Sequence, residues 1–375
     1  MSRPTLAIAD AFADLPDPRV ERTKKHRLSD ILVIAVCAVV AGADSFEQIE
    51  RFGEAKEDWL NGFLDLPNGV PSHDTFNRVF AALDRTAFAA GFSRWAAGLC
   101  AACGLKPVAI DGKAVRAAAG DTFSGCLHLV TAWAGENHLV LGRQAVADGS
   151  HEIAAIPELL AMLELKGALV TIDAAGCRVE IAKAIRAKKG HYLLAVKGNQ
   201  PTLQAAVEAA VEAACDADFA GPRVDYHEAA EDGHGRREER RVTVLYDPPG
   251  LPPGWPDVAA VVKVDRERQV GDGEDVGTTH YYITSYRGRA KTLGRFVRGH
   301  WGIENGLHWV LDVAFREDAN RTRDTNAGAN LGIVRRLAAS LLKQTADKGS
   351  IRTKRLNAAL DDEYLLTALQ GFQEN

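Results

Sequence analysis

A membrane-spanning stretch is missing from this sequence. The apolar run at residues 31–43 stops after 13 positions, where a spanning helix needs roughly 18 or more. It reads instead as a buried core helix. No secretory leader is visible ahead of it, only the basic stretch Lys24-Lys25-His26-Arg27. No membrane partner is expected. Cysteine is sparse too: six residues, at 37, 100, 103, 126, 177 and 215, are too scattered for a disulfide scaffold. A reducing, cytoplasmic setting fits. Cys100-Ala-Ala-Cys103 has no second pair at zinc spacing and no strand-to-helix context for redox work. Both cysteines are expected to be buried helical thiols. Internal repeats and low-complexity tracts are absent.

A surplus of positive charge is also missing, since the net charge is −5, which on its own argues against a nucleic-acid partner. The distribution argues otherwise. Residues 205–232 hold eight acidic side chains against one arginine, whereas residues 286–303 hold five Lys or Arg plus His300 and no acid. A local basic surface can sit on a mildly acidic whole. At 375 residues, 46% hydrophobic and 25% charged, the chain has material for a sizeable core. Its length suggests two domains, or one with a large insertion.

Residues 1–105 read as helical. Residues 28–41 form one apolar helix that Gly42 can end, and Ser45 can cap the next. After the turn at Asn68-Gly69 and Pro71, Ser72 is a good N-cap, and Phe76, Val79, Phe80 and Leu83 make a buried stripe. His73, Asp74, Asn77 and Arg78 are left on the outer face. That is the shape of a DNA-recognition helix, and equally of a surface helix in a small bundle.

From Pro107 the texture changes to alternating strands and helices. Strands are expected at 108–111, 126–134, 138–147, 168–176 and 191–199, with helices at 152–165, 177–189 and 202–214. The pattern predicts a mixed α/β sheet flanked by helices. Further strands at 240–247, 257–265 and 279–286 interrupt it as β-rich material, and one long helix at 291–315 follows. Domains are accordingly expected at 1–105, at 106–345 with the β-rich insertion at about 205–285, and at 346–375 as a peripheral helical tail.

Two apolar strands end on aspartates followed by small residues. These are Asp111 in "VAIDGKAV" and Asp173 in "ALVTIDAAG", 62 residues apart. Either alone could be a turn or capping residue. On neighbouring strands they would repel unless divalent cations lay between them, and oxygen-only ligands suit Mg²⁺, with Mn²⁺ as substitute. A third carboxylate would complete a two-metal phosphoryl-transfer site. Glu304 in "HWGIENGLHW" is the preferred residue, with His300 and His308 four positions away on either side. Asp312, Glu317 and Asp318 are rivals. Trp301, Ile303 and Leu307 are expected to pack that helix onto the sheet.

Taken together, "AIDGKAVR", "TIDAAGC", "YLLAVKGNQ" and "HWGIENGLHWVLDVAFRED" resemble the DDE transposases of bacterial insertion sequences, in particular the family that includes the H-repeat-associated proteins. "LPDPR" and "GVPSHDTFNRVF" resemble that family's associated N-terminal domain. The resemblance implies a ribonuclease-H-like catalytic domain, an all-helical N-terminal DNA-binding domain, and Asp111, Asp173 and Glu304 as the catalytic, metal-binding acids. It implies double-stranded DNA as partner (element ends and target) and a dimer on that DNA at the bacterial nucleoid. The polar residues that related enzymes place around the Glu are here Val297, His300 and Leu311. His300 and His308 are expected to supply those contacts. Lys113, Arg116, Lys197, Asn199, Arg236 and Arg298 are further candidates for DNA contact, beside His73, Asn77 and Arg78. Arg321, Arg323 and Asn326 are expected to follow DNA near the site. A nuclease of the same fold, or a catalytically silent DNA-binding remnant, are the alternatives. An intact acidic triad weighs against the remnant.

Overall fold

The computed structural model describes residues 10–100, 107–115, 127–135, 138–145, 152–219, 223–233, 236–270 and 276–370. The helices are α1 (Leu28–Val40), α2 (Phe46–Ala55), α3 (Glu57–Asn61), α4 (His73–Ala82) and α5 (Arg85–Cys100). Then come β1 (Pro107–Val115), β2 (Leu127–Ala134), β3 (Leu139–Ala145), α6 (Glu152–Met162), β4 (Leu169–Ile172), α7 (Val179–Ala187), β5 (His191–Val196) and α8 (Pro201–Asp216). β6 (Val224–Gly233), β7 (Arg236–Tyr246), β8 (Ala260–Val270) and β9 (Val276–Thr284) precede α9 (Ala290–His300), a π-helical turn (Glu304–His308) and α10 (Trp309–Phe315). α11 (Thr325–Gln344), α12 (Ile351–Leu360) and α13 (Asp362–Gln370) close the chain. No helix among the described residues is long and apolar enough to cross a membrane.

One mixed sheet of nine strands runs in the order β3-β2-β1-β4-β5-β9-β8-β7-β6. β1, β4 and β5 are parallel, and the remaining registered pairs are antiparallel. All four residues of β4 are buried, as expected of a central parallel strand covered on both faces. The chain divides into two compact units, residues 1–103, 112–163 and 303–375 in one, and 104–111 with 164–302 in the other.

In the first unit α1 is buried along its whole length from Asp30 to Val40, because a helix apolar all round has no face to give to water. Gly42 follows with φ +111°, the left-handed ending that glycine tolerates. Ser45 and Ser72 accept hydrogen bonds from Gln48 N and Thr75 N and cap α2 and α4 as expected. The first stretch of this unit ends at residue 103, beside the expected boundary at 105, and the unit takes the chain up again at 112 and 303. α11 is buried from Asn330 to Leu342 and packs on α1, α4 and α5. The C-terminal segment is not peripheral. Arg355 on α12 is buried, donates to the carbonyls of Val39, Ala43 and Ala314, and pairs with Asp44 at 2.9 Å. A guanidinium with its donors satisfied can be buried where a lone cation could not.

In the second unit the β-rich material extends the sheet, since β9 pairs with β5 and carries β8, β7 and β6 outward. The acidic segment closes α8, where a helix was expected, and its later part supplies strand β6, which was not expected. Glu228 lies opposite Arg241, and Asp232 opposite Arg237. Cross-strand pairing neutralises charges that looked repulsive along the chain.

Candidate active site

The parallel register of β1 and β4 ends at Ile110↔Ile172. One residue further, Asp111 and Asp173 stand side by side. Alternation along a strand puts Asp111 on the face of Ala109, and Asp173 on the face of Thr171. Ala109 and Thr171 are register partners, so the two carboxylates share one face. Neighbouring strands lie about 4.8 Å apart. β4 ends before Asp173, whereas β1 continues to Val115, so Asp111 marks the end of the parallel ladder rather than of its strand. This oxygen-only pair fits Mg²⁺ or Mn²⁺. Among the described residues, no three of His, Cys, Asp or Glu are grouped to hold a metal ion.

Loops at the same end of the sheet brace Asp173. Gly176 N–H donates to Asp173 Oδ1 at 3.2 Å, Asn199 Nδ2 to Ala174 O at 2.6 Å, and Gln200 Nε2 to Cys177 O at 2.9 Å. Asn199 thus ties the loop after β5 to the loop carrying Asp173, a role its sequence position did not reveal. Lys197 and Gly198 are exposed beside it, just before the start of α8, where Pro201 occupies the first turn. At the end of α9, His300 Nδ1 lies 3.1 Å from Thr171 Oγ1, two residues before Asp173. Burial disfavours the charged imidazole, against the pull of Asp173 and the hydrogen bond to Thr171.

Glu304 lies in the first unit. The helix expected over 291–315 is broken there: α9 stops at His300, and Glu304 opens a π-helical turn before α10. Wider turns of this kind are rare and recur at functional sites. They also change which residues share a face. Glu304 is exposed while His308, four residues on, is largely buried, so they are not neighbours on one surface. Ile303 and Leu307 pack inward as expected, but Trp301 is 51% exposed, which corrects its assignment to the core. Gly306 seats the turn on Trp133 of β2, where an added Cβ would lie 2.6 Å from the indole.

The rivals for the third acid have other duties. Glu317 is 2% exposed and pairs with Arg336 at 2.5 Å and with Lys113 at 3.4 Å, while Lys113 also bonds Asp312. Burial alone would push the Glu317 carboxyl up, but Arg336 and Lys113 outweigh it and hold its pKa at about 2. Lys113 is therefore a buried ion-pair partner, which corrects its assignment to DNA. His308 faces the same cluster. Burial, then Arg336 and Lys113, lower its pKa to about 4, so it is neutral at physiological pH and does not offer DNA a positive charge. Arg336 was missed because a basic residue inside an apolar helix looks like an exposed one until its acid is located.

On α4, Phe76, Val79 and Phe80 are buried and His73, Asp74, Asn77 and Arg78 are exposed, as the stripe predicts. His73 is held by Glu50 at 2.6 Å, a hydrogen bond that favours its charged form. Asn326, expected to follow DNA, donates instead to the carbonyls of Ala81 and Leu83 at the end of α4, both at 2.8 Å. Arg298 pairs with Glu231, and the charged ladder of β7 is salt-bridged through Arg240–Glu238 and Arg241–Glu267. Arg236 begins β7. Arg116 and Cys103 lie outside the described residues, as does the Cys100 side chain.

The model of the family described as "Transposase DDE domain" matches residues 78–342, and that described as "DDE_Tnp_1-associated" matches residues 9–96. The "Putative transposase YncI" of Escherichia coli O157:H7 is 37% identical over 382 residues, covering 98% of this chain and 95% of its own. The "H repeat-associated putative transposase YhhI" of Escherichia coli strain K12 is 35% identical over 366 residues, 95% of this chain and 96% of its own. A solved piggyBac transposase synaptic complex with hairpin DNA aligns with 97% of this chain and 76% of its own, at TM-score 0.41 and 8% identity. The chain belongs to the DDE transposase family. It is accordingly an enzyme that acts as a transposase.

Proposed function

We propose that this transposase binds the ends of its own element and uses Asp111, Asp173 and Glu304 to hold Mg²⁺, or Mn²⁺, for strand cleavage and strand transfer. One observation carries the reading: Asp111 and Asp173 each follow, by one residue, the last pair of the parallel β1–β4 register, Ile110↔Ile172. The mixed sheet around them supports the ribonuclease-H-like description. Glu304 enters as the third acid on the family resemblance and on its exposure in the π-helical turn. Divalent cations, when bound, supply an activated water and stabilise the leaving 3′-oxygen.

The protein's own groups do the rest. Gly176 N–H and the Asn199–Ala174 contact fix the loop that presents Asp173. Lys197, exposed beside the start of α8, would receive a DNA phosphate. After cleavage the freed 3′-hydroxyl attacks a second phosphodiester, so no nucleophilic Ser, Tyr or Cys is needed.

The test is cleavage and joining on duplexes carrying the inverted repeats that flank the gene. With Mg²⁺, wild type should cut and also join pre-cleaved ends, while Glu304→Gln should bind DNA normally and fail to cut. Cutting without joining would make the chain a nuclease. Near-normal cutting by Glu304→Gln would move the third acid elsewhere.

A further inference from the structure

The strongest feature outside the strand-end carboxylates is a groove of about 850 Å³ in the first unit. One wall is the start of α2, from Asp44 to Gln48, with His73 and Asn77 of α4. The other is the segment from Arg316 to Arg323 that follows α10. Arg316, Arg321 and Arg323 are all exposed, and among the described residues no ion pair or hydrogen bond engages their side chains. This contrasts with Arg298, Arg335, Arg336 and Arg355, each held by an acid or a carbonyl. What sets these three apart is that they line one rim of one groove.

The rim is also rigid. Arg316 takes a left-handed conformation at φ +50° that ends α10, and Glu317, next to it, is pinned in the interior by Arg336 and Lys113. Asn320 Oδ1 accepts from Thr322 N and Oγ1, which holds the turn before Arg323. Asn326 and Asn330 then bond carbonyls of Phe80, Ala81 and Leu83, so the arginine segment and α4 are locked to each other. A fixed basic rim facing the polar side of a helix divides the labour as protein–DNA interfaces do. Guanidiniums hold phosphates and set the register, and side chains such as Asn reach base edges.

We infer that this groove seats duplex DNA, with Arg316, Arg321 and Arg323 on the phosphate backbone and Asn77 toward the bases. The inference rests on the transposase reading above and adds the surface that performs end recognition. Of the groove's acids, Asp44 is neutralised by Arg355. Glu47 then favours an approach of the backbone along the arginine rim.

The test measures binding of the full-length protein, without divalent metal, to a 30-bp duplex carrying the flanking inverted repeat and to a scrambled duplex (about three turns of B-DNA). Each phosphate contact contributes about 0.9 to the slope of log K against log salt. Arg316→Asn/Arg321→Gln/Arg323→Gln should therefore lower the slope by about 2–3 and weaken both duplexes at least 10-fold. Arg321→Gln/Arg323→Gln should give a reduction of about 2. Asn77→Ala should cut the preference for the repeat and leave the slope alone. Arg352→Gln, on the exposed face of α12, should change nothing. Thermal unfolding checks that each variant is folded. Unchanged slope and affinity in both arginine variants, with wild type binding the repeat, would overturn the groove while sparing the transposase reading. A wild type that binds no duplex DNA would sink both, and a preference for duplex RNA over DNA would overturn the groove's assigned partner.

Discussion

Asp173 stands exposed at the end of β4, whereas Glu317 is 2% exposed beneath two cations. The same functional group faces opposite demands in the two regions. At the end of β4, the Asp173 carboxylate accepts a hydrogen bond from the Gly176 backbone N–H and faces solvent. In the interior of the first unit, Glu317 is satisfied by Arg336 and Lys113 and has no capacity left for a metal. A carboxylate that reads as catalytic in sequence is thus separated from one that is structural by what pairs with it.

The largest expected effect falls on the strand ends. Asp111→Asn or Asp173→Asn should lower cleavage on the order of 10³-fold, about 4 kcal/mol of transition-state stabilisation. The metal-free melting temperature should hold or rise, as one of two like charges is removed. Loss of folding together with activity in calorimetry would break the comparison, because these residues would then be structural too. Next comes Glu317→Gln, which leaves Arg336 and Lys113 with an uncompensated buried charge. It should destabilise by about 3–5 kcal/mol in urea unfolding, and a stable variant would show that the cluster is not what holds that region.

The third effect is a pH dependence. His308 has a folded pKa of about 4, below the ordinary 6.5. The unfolded chain therefore binds the proton more readily, and the contribution is present above pH 6.5 and lost as pH falls toward 4. His308→Gln should flatten that stretch of the stability curve by about 3 kcal/mol. Glu317 gives a separate loss, between its ordinary 4.5 and about 2. Equal curves for wild type and His308→Gln would mean that the imidazole is not held neutral. Smallest of all should be Glu267→Gln on the sheet edge, whose pair with Arg241 leaves both side chains more than a third exposed. Such pairs are worth less than about 1 kcal/mol, and a larger loss would make the ladder more than a solvated surface.

Much of this arrangement is legible in the residues alone. Ser45, Gly42 and Ser72 mark helix ends by local hydrogen bonding, and the stripe Phe76, Val79, Phe80 separates the inner face of α4 from its outer one. Asp111 and Asp173 announce themselves because each puts a charge directly after an apolar run, although β1 continues past Asp111. Local periodicity has no such hold on β6, whose acids are explained only by arginines on β7, or on the break at Glu304.

What the sequence determined by itself, then, is the helix caps, the inner face of α4, the strands and helices from β1 to α8, and the two aspartates as candidates, all of which follow from interactions within a few residues. The tertiary structure decided the partners. It set Asp111 beside Asp173 through a parallel register, and took Lys113, His308 and Glu317 into one buried cluster. It also made the C-terminal helices part of the core through Arg355. A buried charge is tolerated only where an opposite charge or a carbonyl meets it, and residues 204 positions apart, such as Lys113 and Glu317, find each other only when the chain has folded.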